Sequence, residues 1–157
     1  MLHILLREDF EQWESLIADY ERQALSLKVP RENSTTTLSE FNARLDELFT
    51  RASFDFNRAR INKDVMNRFI KTVSDDYYEG ANDKIRKAAS LRMIQNYPTP
   101  DFYISEYGVE NINLYELQYR FDKYYYTMEA VMKSLDAKAS SRITTNSLLK
   151  LESATIN

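Results

Sequence analysis

From Thr37 to Glu79 the chain contains neither glycine nor proline, and this interval narrows its folding options more than any other feature. As a single helix it would reach roughly 65 Å at 1.5 Å per residue, about twice the span of a compact domain of this size. Two glycines and three prolines in 157 residues leave too few turn-formers for a fold of many short strands. The expected class is therefore all-α: a bundle of long helices with coiled-coil-like seams, assembling as an oligomer.

Three regions are expected. Residues 1–30 form an acidic amphipathic helix in which Leu6, Phe10, Trp13, Ile17, Tyr20, Ala24 and Leu27 step alternately by four and three, ending at Pro30. A polar linker, Arg31 to Thr36, leads to Thr37-Leu38-Ser39-Glu40, which has capping-box spacing. Residues 37–98 then hold the long helix and a basic one. The long stripe is Phe41, Leu45, Leu48, Ala52, Phe56, Ala59, Met66, Ile70, Val73 and Tyr77, broken near Asn62 and Lys63 by a kink or a partner's edge. Gly80 suits a left-handed residue beyond that helix. The basic helix, about Asn82 to Asn96, is capped by Asn82 and stopped by Tyr97-Pro98-Thr99-Pro100.

After a linker rich in aromatics, residues 111–157 carry a heptad helix and tail. The helix opens at Asn113-Leu114-Tyr115-Glu116, and Leu114, Leu117, Phe121, Tyr124, Met128, Val131 and Leu135 alternate strictly by three and four. That seam is the expected surface of self-association. Beyond Lys138 the pattern loosens and closes on an apolar patch, Leu148, Leu149 and Leu151, expected to be disordered alone or ordered by a neighbour.

Chemistry is constrained by what is missing. Cysteine is absent, which excludes disulfides and thiolate sites, and the one histidine, His3, lies near the terminus. No Glu-x-x-His pair exists for a di-iron site, and two glycines cannot form a phosphate-cradling loop. Asp75, Asp76, Glu79 and Asp83 cluster near Gly80 without calcium-loop spacing, and their expected role is a solvated helix end. No enzyme, metal or cofactor is expected. The opening apolar run is too short for a signal peptide and no later run approaches membrane-spanning length, so the expectation is a soluble cytoplasmic protein without a membrane partner.

Net charge is -3, but it is unevenly distributed. Residues 51–98 carry ten basic and six acidic side chains, whereas residues 1–50 carry five and ten. Such segregation builds either a basic face for an anionic partner or complementary packing between the segments. Single-stranded nucleic acid needs cations for phosphates and aromatic faces for bases. Arg68, Lys71, Lys84, Arg86, Lys87 and Arg92, with Tyr77 and Tyr78 interleaved, supply both. The competing reading places the aromatics in the core and the cations on a solvated face.

The order of parts resembles the UvsY family of phage recombination mediators. The resemblance covers about residues 38–153: a long helix ending Asp76-Tyr77-Tyr78-Glu79-Gly80, a basic stretch, then a last helix from Leu117-Gln118-Tyr119-Arg120-Phe121 through Met132-Lys133-Ser134-Leu135 and a polar-then-apolar tail. It implies a ring-forming protein that binds single-stranded DNA and helps load a strand-exchange recombinase onto DNA covered by a single-strand-binding protein, in the host cytoplasm if viral. Members place basic residues directly before the tyrosine pair. Here Thr72, Ser74, Asp75 and Asp76 stand there, so the DNA contact either moves to Lys84, Arg86, Lys87 and Arg92 or is absent. The alternative is a non-enzymatic structural or adaptor protein, such as a virion neck or scaffold component, acting through helix–helix contacts.

Overall fold

The computed structural model describes residues 1–30 and 34–155, and it is all-α. Among the described residues the elements are α1 (Leu2–Leu5), α2 (Phe10–Ser26), α3 (Thr35–Asp76), α4 (Asp83–Gln95), β1 (Tyr97–Pro98), α5 (Asp101–Tyr107), β2 (Asn111–Ile112) and α6 (Leu114–Thr155). The linker residues Arg31, Glu32 and Asn33 lie outside the described residues, as do the side chains of Leu148, Leu149 and Leu151.

Local chemistry sets the boundaries. The first amphipathic stretch is two helices, because the Asp9 carboxylate accepts the Gln12 backbone N–H at 2.9 Å and restarts the helix at Phe10. At α3 the cap is Ser34, whose hydroxyl accepts the Thr37 N–H at 3.1 Å, so the helix begins before the expected Thr37. It ends at Asp76, short of Glu79, and runs unbroken past Asn62 and Lys63. Asn62 takes a buried position in the stripe, although its side-chain Nδ2 has no partner. Asn82 caps α4 as expected, accepting the Ile85 N–H at 3.0 Å.

The aromatic linker is ordered. Pro100, its φ near the helical value, precedes α5, and Gly108 closes it at φ +67 with its N–H on the Ile104 carbonyl at 2.8 Å. The flanking strands pair antiparallel, Tyr97 opposite Ile112 and Pro98 opposite Asn111. At α6 the Asn113 side chain accepts the Tyr115 N–H at 3.0 Å, and the helix continues to Thr155, well past Lys138 where the periodicity loosens.

Two compact units divide the chain. The first comprises Met1–Gln12 and Arg58–Tyr125. Its buried residues include Leu5, Met66, Val73, Ile94, Leu114 and Phe121. Phe10 meets Phe121 with ring centroids 5.8 Å apart, Phe69 meets Tyr97 edge-on at 5.2 Å, and Ser90 donates to Ser74 at 3.0 Å, which fixes α4 on α3. The second unit comprises Trp13–Asn57 and Tyr126–Asn157. Trp13, Ile17, Tyr20, Leu45, Ala52, Met128 and Leu135 are buried, and the Lys138 ammonium donates to the Leu27 carbonyl beyond the end of α2 at 2.5 Å.

The heptad seam requires a correction. Leu114, Leu117, Phe121, Tyr124, Met128, Val131 and Leu135 are all buried within one copy of the chain, none more than 4% exposed. A three-four repeat buries a helix face equally well against the chain's own helices and against a second copy, and here the chain's own residues cover it. These seven side chains are core.

Candidate nucleic-acid interface

The tyrosine pair, the basic helix and the end of α3 all belong to the first unit. The chain leaves α3 at Asp76, passes through Gly80 at φ +143 and enters α4 at Asp83. A Cβ at Gly80 would lie 2.5 Å from Ile85 Cγ2, so this turn admits only glycine without local displacement. The outward face of α4 carries Lys84, Lys87 and Arg92, all exposed, and the helix as a whole holds four basic side chains against one carboxylate, Asp83. Arg68 and Lys71 are exposed on α3.

Arg86 differs from its neighbours. It shares the inward stripe of α4 with Ser90, Met93 and Ile94, and its buried Nε lacks a hydrogen-bond partner. Its guanidinium lies 5.5 Å from the centre of the Tyr78 ring. The Tyr78 hydroxyl donates to Asp83, which also accepts from Lys87 Nζ at 2.8 Å. The Lys87 contact and then the tyrosine hydroxyl hold the Asp83 carboxyl below the usual carboxylate value. One face of Tyr78 is therefore covered and its hydroxyl engaged, although it is as exposed as Tyr77, at 38% against 39%.

The expected contacts divide accordingly. Arg68, Lys71, Lys84, Lys87 and Arg92 are solvent-facing, Tyr77 and Tyr78 are partly exposed, and Arg86 is a packing residue. Phe69 is buried and Tyr97 half-buried, and they pack on each other. In the tyrosine run, Tyr124 is buried, Tyr125 lies 4.8 Å beneath the Lys63 ammonium, and Tyr126 is exposed. No three acidic or histidine side chains among the described residues are grouped as metal ligands, the Asp75, Asp76, Glu79 and Asp83 set included.

A second feature was not apparent from periodicity. Beside α5, in the same unit, a cleft of about 770 Å³ is walled by Arg7, Phe10, Phe102, Tyr103, Tyr107 and Arg120, with Glu8, Asp9, Glu11 and Glu106 also lining it. The sequence signal was the density of aromatics between Pro100 and Gly108, in a segment too short for a periodicity argument. No helix among the described residues is long and apolar enough to cross a membrane. No protein family, curated protein or solved structure matches the chain.

Proposed function

We propose that this chain is a phage-type recombination mediator that binds single-stranded DNA and assists loading of a strand-exchange recombinase onto DNA held by a single-strand-binding protein, in the host-cell cytoplasm. The observation that carries the proposal is the outward face of α4, where Lys84, Lys87 and Arg92 are exposed beside the half-open tyrosine pair. Phosphates need mobile, exposed cations, and bases need an accessible ring; Tyr77 with these three residues meets both needs. Arg68 and Lys71 would extend the cationic track, and Arg86 would hold Tyr78 in place. The UvsY-like order of segments supports the same reading.

Each protomer offers few phosphate contacts, so tight binding would come from several copies acting together. Such self-association would use surfaces other than the buried heptad seam. The test is fluorescence anisotropy of a labelled oligothymidylate with micromolar protein at low salt. Binding that weakens steeply with added salt supports the proposal, and no anisotropy change refutes it.

A second, adaptor reading has its own observation. Tyr115 and Tyr119 stand one turn apart on the outer face of α6, and Tyr119 is 71% exposed. Exposed tyrosines of this kind suit a protein partner. Reversing the charge of Lys84, Lys87 and Arg92 together separates the readings, since only a DNA-binding protein should lose function.

A further inference from the structure

The α5 cleft lies outside the surface just proposed for DNA, and its chemistry differs. Two guanidinium groups are already seated on its rings: Arg7 lies 5.7 Å from the Phe102 centroid, and Arg120 lies 5.2 Å from that of Phe10. One ring pair in the lining has no cation over it among the described residues. Tyr103 and Tyr107 meet at 4.6 Å with a 41° tilt, and Tyr107 is 57% exposed. Four carboxylates line it against two arginines, and with Glu8 paired to Arg58 from outside the lining the balance stays acidic, three carboxylates to two guanidiniums. An anion entering here would meet net repulsion. A cation gains from both the ring faces and the acidic groups.

A smaller cleft of about 330 Å³ adjoins it and shares Phe10, Tyr103 and Arg120 as walls. Two neighbouring depressions that share walls suit an extended segment better than a single small molecule.

We infer that the α5 cleft binds an extended basic segment of a partner protein, with an arginine or lysine side chain of that segment stacking on the Tyr103–Tyr107 pair beside Glu106. This inference is independent of the DNA-binding proposal. The neighbouring Glu106 carboxylate holds the Tyr107 phenol above its usual titration range, so the ring is neutral at physiological pH.

The experiment titrates a fluorescein-labelled tetra-arginine peptide with the full chain, using a tetra-glutamate peptide and an oligothymidylate as comparisons. The expected result is saturable binding of tetra-arginine, and none of tetra-glutamate, that Tyr107→Leu weakens by about 10-fold, the worth of one cation–π interaction, while leaving oligothymidylate binding as in wild type. Glu106→Gln should weaken it by a smaller factor, and both exposed positions should leave the circular dichroism unchanged. Three results would overturn the inference: no binding of tetra-arginine, equal binding by wild type and both variants, or loss of oligothymidylate binding in Tyr107→Leu. The second would mean diffuse attraction to an acidic protein, and the third would assign the cleft to nucleic acid.

Discussion

The phenolic hydroxyl of Tyr20 donates to Oδ2 of Asp55 across 2.6 Å, joining α2 to α3 within the second unit. Burial, and then this carboxylate, pushes the tyrosine's titration well above its ordinary range. A pKa raised in the folded state favours folding fully below the unfolded value of about 10, and that contribution declines as pH climbs above it. Urea unfolding of wild type should therefore show falling stability above about pH 10, and Tyr20→Phe should flatten that limb. At pH 7 the variant should be less stable by about 1 kcal/mol, the net worth of one hydrogen bond.

Phe121 is 1% exposed, so Phe121→Ala should cost about 3–5 kcal/mol of stability through reduced burial and a cavity. The drop in Tm should be the same at low and high protein concentration. A seam between copies would instead give a destabilisation that depends on concentration, because dissociation would precede unfolding.

At the turn before α4, Gly80→Ala combines a disfavoured backbone with a clash against Ile85 and should destabilise by about 1–3 kcal/mol. Adding Ile85→Ala relieves the steric part alone. The double variant should recover some of the stability in chemical denaturation but not all of it.

For the α4 face, Lys84→Ala, Lys87→Ala and Arg92→Ala combined should leave the helix content unchanged and weaken oligothymidylate binding. If all three touch phosphates, the slope of log affinity against log salt should fall in magnitude by about 2, near 0.7 for each single-strand phosphate no longer neutralised. An unchanged slope would remove these residues from the interface.

The fold class was legible because helix periodicity survives in long segments: six of the seven stripe positions from Leu6 to Leu27 are buried, Phe10 being half-buried, and so are all seven from Leu114 to Leu135. What that periodicity could not tell was whose surface covers the stripe, since an internal neighbour and a second copy impose the same spacing. Arg86 shows a related ambiguity. Charge suggested solvent, whereas its position four residues before Ser90 put it on the packed face. The exposure of Lys84, Lys87 and Arg92 follows from the helix start that Asn82 fixes, since the start sets which residues face outward. The α5 cleft was missed because it is assembled from the turn between α1 and α2, the start of α2, α5 and α6, whose proximity no local pattern encodes.

Asn62 carries a consequence for engineering. An interior amide nitrogen left without an acceptor weakens the native state, and a leucine there would fill similar space without that deficit. Asn62→Leu should raise the unfolding midpoint, by an amount corresponding to about 1 kcal/mol, in thermal and urea melts. The chain thus has untapped thermal tolerance at one interior position, reachable by a single codon replacement that leaves its outward chemistry untouched.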